Sequence, residues 1–457
     1  MSAAGDSLVT PARKAAPPGL PSLPSLSDGY QAFRDFVNPL LAARAELMGE
    51  PWQLVRVAGD GRLVDVDGRL VEDLLAGWGT QAFGHRPAAI ERALTAFLAG
   101  DAPSYYPSSV SPWAGLLARA LCQRVGAGGY DAAFFASGGT EAVEAALKLA
   151  RAATGRPRIL ALEGAFHGCT YGSLAMMHDG AYRAPFGPAL PLVDRLPFDD
   201  VAALERALAG GDVAAVVVEP IQVEAGVRVL SAEYVAALGE LTARAGALLV
   251  ADEIQTGLGR TGRMLASDGW PRRPDVVTLG KALGGGLMPV SAVLTRRQVF
   301  AAAYGTHATA ESHASTFSGN ALACVAALAG LELLSDELLQ RVAVVGARWR
   351  AALAARLAGL PLLGDVRGEG LLVGIELRDV EHPWLSFEYL GLPELGGRSA
   401  AGLMLVHRLF RAGYGTGVCG HDWTTLRLQP PLVIDEARLD GFVDACGREL
   451  EYLCQLG

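Results

Sequence analysis

Two short apolar runs in the middle of the chain each end at a charged residue. The run from Gly246 to Ala251 stops at Asp252, and the run from Asp275 to Gly280 stops at Lys281. Short apolar runs that alternate with helical patterns are typical of buried parallel strands, whose ligands bind beyond their carboxyl ends. An amine and a carboxylate facing one crevice favour pyridoxal phosphate, since the lysine can form a Schiff base and the aspartate can keep the ring nitrogen protonated. A surface lysine before a glycine turn is the simpler interpretation of Lys281 taken alone.

A glycine-containing turn is the predicted site for the cofactor phosphate. The segment from Asp131 to Ala136 predicts a strand, and a long helix rich in Ala and Leu follows the turn Ser137-Gly138-Gly139-Thr140. Backbone N–H groups and the helix dipole favour an anion at such a helix start. We expect Gly138 to permit close approach and Thr140 to add a hydroxyl. An ordinary glycine turn before a helix would have the same pattern.

Further candidates follow a second predicted strand and the Asp252 motif. The strand from Arg158 to Leu162 leads to Phe166, which can stack on a planar ring. His167 is next in the chain and is either a proton shuttle or a hydrogen-bonded wall residue. Gln255 lies three residues after Asp252 and can reach a ring oxygen.

A third predicted strand, from Val213 to Val218, leads to two acidic residues. Glu219 and Glu224 share one loop at the sheet edge, where carboxylates need cationic partners or water. Other candidates are a hydroxyl near a second helix start and aromatic residues in loops, which could equally pack on their own protein. These candidates are Thr316, Trp78, Tyr105 and Tyr106.

One motif favours a different cofactor, but its context argues against that interpretation. Residues 257–262 match GxGxxG, the dinucleotide fingerprint. The fingerprint should open a helix directly after a strand and precede an acid by about 20 residues. Here it follows DEIQT and runs into a loop rich in Gly and Pro. We find no GxSxG elbow, Walker loop or zinc-type Cys/His cluster, and so predict no metal site.

Composition and charge exclude several other classes of protein. The chain has 457 residues, 51% of them hydrophobic, and a net charge of −9, which argues against a nucleic-acid partner. No apolar stretch has transmembrane length, and the first residues lack the basic start and apolar core of a secretory signal. Six scattered cysteines without CxxC pairs favour reduced thiols in a cytoplasm.

The pattern of elements predicts an α/β fold with a mostly parallel central sheet and a smaller α+β domain. Residues 1–28, rich in Pro, Ser and Ala, predict a loose tail. Residues 29–85 predict the first part of the small domain, and residues 86–328 the large cofactor-binding domain. Residues 329–457 complete the small domain, which is therefore expected to use both ends of the chain.

In these motifs and their order, the chain resembles the class III (ω-type) aminotransferases, such as the ornithine, putrescine and 4-aminobutyrate aminotransferases, over residues 30–455. The matching segments are FFASGGTEAVEAALKLAR, GAFHG, AYRAPFGPALP, VVVEPIQVEAGV, LLVADEIQTGLGRTGR, PDVVTLGKALGGGLMPVSAVL, STFSGN, RGEGLLVGIEL and RLQPPLVI. The resemblance implies a fold-type I enzyme that uses pyridoxal 5′-phosphate and is at least a homodimer.

The resemblance also implies roles for individual residues. Lys281 would carry the Schiff base, Asp252 would contact the ring nitrogen, Phe166 would stack on the ring and Gln255 would bond the ring oxygen. Thr316 would arrive from the neighbouring subunit. The residues expected to contact the cofactor are Ser137, Gly138, Gly139, Thr140, Phe166, His167, Glu219, Asp252, Gln255, Lys281 and Thr316.

Four residues are expected to contact the substrates: Glu224, Arg427, Trp78 and Tyr105. In ornithine aminotransferase-like proteins the residues matching Glu224 and Arg427 pair with each other. Arg427 would bind an α-carboxylate through two hydrogen bonds, and Glu224 would neutralise it when an amine donor has no carboxylate there.

Several positions depart from the family pattern. The turn Ser137-Gly138-Gly139-Thr140 stands where Asn-Ser-Gly-Thr is usual, so one phosphate hydroxyl is missing. Ser318-Gly319-Asn320-Ala321 replaces Gly-Gly-Asn-Pro. Val223 replaces a glycine beside Glu224, which bears on substrate choice. The insertion at 379–400 has no counterpart that we can place.

The sequence therefore predicts transfer of a primary amino group from a terminal amine or ω-amino acid to a 2-oxo acid, by a ping-pong mechanism. An aminomutase, epimerase or decarboxylase would share the same lysine and early steps. A non-catalytic scaffold is a further alternative. It is disfavoured because Lys281, Asp252, Glu224 and Arg427 are all present.

Overall fold

The computed structural model describes residues 26–47, 54–107, 110–125, 129–177, 182–380, 382–390 and 399–456. Backbone contacts divide the chain into two compact units, one up to Leu47 and one from Met48 onward. The described residues of the first unit form two helices, α1 (Leu26–Phe36) and α2 (Pro39–Leu47). Residues 1–25 of the predicted tail, and residues 381 and 391–398 of the predicted insertion, lie outside the described residues.

The second unit begins with a small sheet followed by helices. Its first elements are β1 (Leu54–Val57), β2 (Leu63–Asp65), β3 (Leu70–Asp73), α3 (Ala76–Gly79), α4 (Ala88–Ala99) and α5 (Pro112–Val125). The three strands are antiparallel neighbours in the order β1-β2-β3.

Strands and helices then alternate through the middle of the chain. The elements are β4 (Ala132–Ala136), α6 (Gly139–Thr154), β5 (Arg158–Leu162), α7 (Tyr171–Met176), β6 (Val193–Leu196), α8 (Val201–Leu208), β7 (Val213–Val218), β8 (Ile221–Gln222), β9 (Arg228–Val229), α9 (Ala232–Ala245), β10 (Leu248–Asp252), β11 (Val276–Leu279), β12 (Ser291–Thr295), α10 (Arg297–Tyr304) and α11 (Ala321–Leu333).

The last part of the chain forms further small-sheet strands between long helices. Its elements are α12 (Asp336–Leu357), β13 (Leu363–Glu369), β14 (Leu372–Leu377), α13 (Ala401–Arg411), β15 (Tyr414–Gly415), β16 (Gly417–Val418), β17 (Thr425–Leu428) and α14 (Glu436–Leu456).

A seven-stranded sheet in the order β4-β12-β11-β10-β7-β5-β6 forms the centre of the second unit. All the pairs from β11 to β6 are parallel, and β12 alone runs antiparallel to its two neighbours. Helices cover both faces, so β7 is buried at all six positions, which is why its sequence is a continuous apolar run. The predicted α/β class with a mostly parallel sheet is confirmed.

Besides the two-stranded β8–β9 sheet, the described part of the unit has two four-stranded sheets. One has the order β1-β2-β3-β15 and therefore combines strands from both ends of the chain. The other, β13-β14-β17-β16, is antiparallel and carries Arg427 on β17, opposite Gly374. The placement of strands from distant parts of the chain in one sheet supports the predicted small domain, whose boundaries remain a prediction.

The GxGxxG segment is a turn packed against α12. A Cβ at Gly262, whose φ is +87°, would lie 2.6 Å from the Cβ of Ala343. Within the described ranges, no helix has both the length and the apolar character needed to span a bilayer. In the same ranges, no group of three or more His, Cys, Asp or Glu side chains is placed to hold a metal ion.

Candidate active site

The carboxyl ends of β4, β5, β7, β10 and β11 meet at one edge of the central sheet, and a cavity of about 200 Å³ opens there. Asp252 ends β10, and Lys281 follows β11 after one residue. The described residues that line this active-site cavity are Gly139, Thr140, Phe166, His167, Gly168, Glu219, Glu224, Asp252, Ile254, Gln255, Thr256 and Lys281. Nine of them are predicted site residues.

Asp252 is buried and held by donors from three directions. His167 Nδ1 lies 2.7 Å from Oδ2, and because a carboxylate only accepts, this nitrogen carries the proton. Thr278 Oγ1 donates to Oδ1 at 2.9 Å, and the backbone N–H of Ile254 donates to the same oxygen at 3.2 Å. Although burial opposes it, the carboxylate of Asp252 raises the pKa of His167. His167 therefore orients the carboxylate and stabilises its charge.

Glu219 is a second buried carboxyl in the wall, and it has a different environment. One oxygen accepts the backbone N–H of Phe166 at 2.9 Å, which fixes the turn that carries the phenyl ring. Burial raises the pKa of Glu219 to about 8, and the proximity of Asp252 adds to this while His167 opposes it. Near neutral pH the carboxyl is therefore mostly protonated.

Lys281 has an unusual backbone conformation and a buried amine. Its φ of +44° lies in the left-handed region, which is uncommon for a residue with a side chain and is found where the surroundings impose it. Its Nζ donates to Oε1 of Gln255. Burial lowers the pKa of the amine, although Glu224 opposes the shift. At a given pH, a larger fraction of this amine is therefore neutral and nucleophilic.

Glu224 and Arg427 form a buried ion pair at another side of the cavity. Nη1 of Arg427 donates to Oε1 of Glu224, and the backbone N–H of Gly420 donates to Oε2 at 2.8 Å. Although burial opposes it, Arg427 and then Lys281 hold the pKa of Glu224 below its usual value. Arg427 is 2% exposed and reaches the cavity through Glu224. Its Nε has no hydrogen-bond partner among the described residues.

A tight turn between β8 and β9 positions Glu224. The N–H groups of Gly226 and Val227 both donate to the carbonyl of Val223, at 3.3 and 3.2 Å. Gly226 has a φ of +102°, and a Cβ there would lie 2.8 Å from Oδ2 of Asp422. Val223 is buried in a small apolar cluster and does not line the cavity. Any effect of Val223 on substrate choice would therefore have to act through the position of this turn.

The four N–H groups at the helix start after β4 form two pairs with different surroundings. Oε2 of Glu141 accepts the N–H groups of Ser137 and Gly138, at 2.9 and 2.8 Å. Those of Gly139 and Thr140 have no acceptor among the described residues, and both residues line the cavity. An anion bound at this helix start would therefore meet the N–H groups of Gly139 and Thr140, while those of Ser137 and Gly138 bond Glu141.

Four candidate residues lie away from this cavity in the described chain. Tyr105, Tyr106 and the exposed Thr316 line a second cavity, of about 490 Å³, beside β4. Trp78 is 56% exposed and lines neither cavity.

Sequence reasoning missed several residues that complete the site. Thr278 pairs with Asp252 in the β10–β11 register, which only the sheet order reveals. Ile254 lines the cavity, and a Cβ at Gly139 would lie 2.9 Å from its Cδ1, so a larger residue there would displace the Ile254 side chain. Gly168 is similarly constrained, since its Cβ would meet the Thr140 side chain at 2.4 Å. The glycines themselves were the only sequence signal for these contacts.

The lining groups fit pyridoxal phosphate. Two free N–H groups at a helix start suit the phosphate, and the side chains of Phe166 and Ile254 suit the faces of a ring. Nε2 of Gln255 is buried without a partner among the described residues, as expected for a donor that awaits an acceptor such as a ring oxygen. Asp252 and Lys281 line the same cavity and would offer the carboxylate and the amine that this cofactor needs.

Comparisons with known proteins agree with this chemistry. The family model described as aminotransferase class-III matches residues 48–449. An aminotransferase from a Serratia species, PigE, is 33% identical over 92% of this chain. The chain spans only about half of that relative, 53% of its length. The acetylornithine aminotransferase of Mycobacterium bovis is 42% identical over 85% of this chain and 89% of its own.

A solved structure has the same fold. The ornithine aminotransferase of Toxoplasma gondii superposes with a TM-score of 0.78 at 29% identity, over 94% of this chain and 96% of its own. That structure is described as having partial occupancy of pyridoxal phosphate at its active site. The fold of the present chain is accordingly that of a fold-type I transferase that uses pyridoxal phosphate.

Proposed function

The chain belongs to the class-III aminotransferases, and from this premise we propose that it moves a primary amino group from a terminal amine or ω-amino acid to a 2-oxo acid. The observation that carries the proposal is the arrangement of one cavity. Lys281 and Asp252 line it together, and the Glu224–Arg427 pair adjoins it. Two of the proteins named above are an acetylornithine and an ornithine aminotransferase, and both of these compounds carry a terminal amine, which supports the donor class.

Pyridoxal phosphate supplies an aldehyde that binds the donor amine and a ring that withdraws electrons from the amine-bearing carbon. Lys281 would be the covalent anchor and afterwards the general base. Its Nζ, with a pKa lowered by burial, takes the proton from that carbon. Gln255 accepts a hydrogen bond from the same Nζ, which holds the amine in the cavity before substrate arrives.

Asp252 would accept a hydrogen bond from the protonated ring nitrogen and so favour its positive charge. Three donors, from His167, Thr278 and Ile254, already hold the carboxylate, and its remaining lone pairs can accept one more. Phe166 would cover one ring face, held by the bond from its N–H to Glu219. These residues keep the ring in one orientation relative to Lys281.

The Glu224–Arg427 pair would let one site accept two unlike substrates. In the pair as it stands, the arginine charge is neutralised, which suits a donor without a carboxylate at that place. When a 2-oxo acid enters, its carboxylate would replace Glu224 on the guanidinium and use the unpaired Nε as a second donor. In both arrangements the buried guanidinium of Arg427 has an anionic partner.

We further propose that the working form is a homodimer in the cytoplasm. Thr316 is exposed and lines a cavity other than that of its own Lys281, as suits a residue that completes a neighbouring site. The six cysteines are all free, which supports a reducing compartment. Sedimentation of the full chain, with and without pyridoxal phosphate, tests the dimer.

Lysine scarcity makes the central test unambiguous. The sequence has three lysines, Lys14, Lys148 and Lys281. Borohydride reduction of the loaded enzyme, followed by peptide mapping, should place the cofactor on Lys281 alone. Lys281→Ala should abolish formation of a new amino acid from a 2-oxo acid, whereas Lys148→Ala, at an exposed position, should not. Label on Lys148, or turnover by the Lys281 variant, would defeat the proposal.

A further inference from the structure

A chain of hydroxyl groups lies beneath the helix start of the active-site cavity. Oγ1 of Thr140 is 2.7 Å from Oγ1 of Thr170 and 2.8 Å from Oγ of Ser173. The backbone N–H of Thr170 donates to Oγ1 of Thr140 at 3.2 Å. Thr170 is the residue that precedes α7, so these contacts join the first turn of α6 to the start of a second helix.

Glu144, one turn further along α6, accepts the last hydrogen bond in this series of hydroxyl groups. Its Oε1 accepts three donors: Oγ1 of Thr170 at 2.6 Å and the N–H groups of Gly172 and Ser173 at 2.8 and 3.2 Å. A carboxylate at a helix start is stabilised by the unpaired N–H groups there, and bonds to a charged acceptor are stronger than neutral ones. Glu144 does not line the cavity.

With Glu144 ionised, the protons of the two threonine hydroxyls have one consistent arrangement. Thr170 gives its only proton to Glu144, so its oxygen can act only as an acceptor toward Thr140. The 2.7 Å contact between the two threonines then needs the proton of Thr140. Ser173 keeps a proton for Thr140 or for the carbonyl of Thr170 at 3.0 Å. Each of the three hydroxyl protons is therefore used in a hydrogen bond among Thr140, Thr170, Ser173 and Glu144.

We propose that Glu144 and Thr170 are positioning residues for the cofactor phosphate. They fix the Thr140 side chain, and with it the two N–H groups of Gly139 and Thr140 that face the cavity. The role of the Thr140 hydroxyl is to hold this arrangement in place through its bonds to Thr170 and Ser173. The proposal rests on the proposed function, because it assumes that a phosphorylated cofactor binds at this helix start.

The test separates phosphate recognition from binding of the rest of the cofactor. Dissociation constants of the cofactor-free full chain are measured for pyridoxal 5′-phosphate and for pyridoxal, by absorbance titration. Thr170→Ala removes the hydroxyl without adding bulk, and should weaken binding of the phosphorylated form by about five- to tenfold. Binding of pyridoxal should change less than twofold, since it lacks the phosphate.

Matched variants control for indirect effects. Thr170→Ser keeps the hydroxyl and should restore the wild-type preference for the phosphorylated form. Thr154→Ala removes a hydroxyl from the far end of the same helix, where it bonds the carbonyl of Ala150, and should leave the preference unchanged. Glu144→Ala should weaken binding of the phosphorylated form as much as Thr170→Ala does. The double variant should bind it no more weakly than either single variant, because both residues act through the same hydrogen bonds.

The outcomes decide between the two proposals. An unchanged or increased preference for the phosphorylated form in Thr170→Ala would overturn the positioning role. Equal loss of both ligands would do so too, since it would indicate a general loss of structure. If Thr170→Ala does not fold, the same comparison in Glu144→Ala decides. Failure of the wild-type chain to bind pyridoxal phosphate would instead refute the proposed function.

Discussion

Replacing Arg427 with methionine tests whether this residue recognises the carboxylate of the acceptor. Methionine fills much of the same buried space without charge or donors. In the structure Arg427 is 2% exposed, donates through Nη1 to Glu224, and has Nε unpaired among the described residues. A 2-oxo acid could therefore receive two charge-assisted hydrogen bonds from it.

The expected magnitude follows from those two bonds. A hydrogen bond to a charged group contributes about 1.5–3 kcal/mol, and loss of the contact with Glu224 offsets part of the gain. A net loss of about 3–4 kcal/mol corresponds to a decrease of about 10²- to 10³-fold in kcat/KM for 2-oxo acids. The variant also leaves Glu224 without its cation, which would raise the pKa of Lys281 and slow all acceptors alike.

The assay therefore measures the ratio of the rate constants for two acceptors, one with a carboxylate and one without. The enzyme is first converted to its amino form with a diamine. It is then mixed with 2-oxoglutarate or with an aldehyde that has no carboxylate, and the cofactor absorbance is followed. The ratio of the two rate constants should fall by two to three orders of magnitude in Arg427→Met. It should stay at the wild-type value in Arg356→Met, which removes a surface arginine paired with Glu451.

One result would refute the reasoning. If both acceptors slow equally in Arg427→Met, the arginine does not bind the carboxylate and the pair has only a structural role. Loss of a buried ion-pair partner can destabilise a protein by about 3–5 kcal/mol. The melting temperature of the variant is therefore measured beside the kinetics, so that partial unfolding is not mistaken for slow chemistry.

Three further predictions concern stability and cofactor binding. Glu219, with a pKa raised by burial to about 8, stabilises the cofactor-free fold at pH below about 4.5 and loses that contribution as pH rises toward 8. Melting temperatures of Glu219→Gln should therefore fall less than those of the wild type between pH 5 and 8; parallel curves would contradict this. Thr278→Val removes a buried donor to Asp252 and should lower the free energy of unfolding by about 1.5–3 kcal/mol in urea titrations. Gly168→Ala, at φ +118° and with its Cβ 2.4 Å from the Thr140 hydroxyl, should weaken pyridoxal phosphate at least tenfold by absorbance titration; an unchanged dissociation constant would show that the turn can move.

The predicted elements near the site agree with the structure because their signals are local. The apolar runs before Asp252 and Lys281 are buried strands, and the glycine turn before Thr140 does start a helix. A run of apolar residues reports burial on both faces of a strand, and the parallel arrangement sends the strand ends to one edge. The chemistry-bearing residues could therefore be selected before any contact was known.

Other features depended on contacts that no local pattern contains. The pairing of Glu224 with Arg427 joins residues 203 positions apart and was expected only from the family resemblance. Glu141 takes N–H groups that the sequence assigned to the phosphate, and Thr278 supports Asp252 from the neighbouring strand. Each of these depends on side-chain direction or strand register, which composition and spacing do not encode.

The sequence by itself determined the fold class, the positions of the strand ends and the amine and carboxylate that line the active-site cavity, because burial and turn preferences act between residues close together in the chain. Only the tertiary structure decided which carboxyls are paired, protonated or used as supports. Glu219, Glu224 and Glu144 have the same side chain, and their different environments follow from the elements that pack around each one.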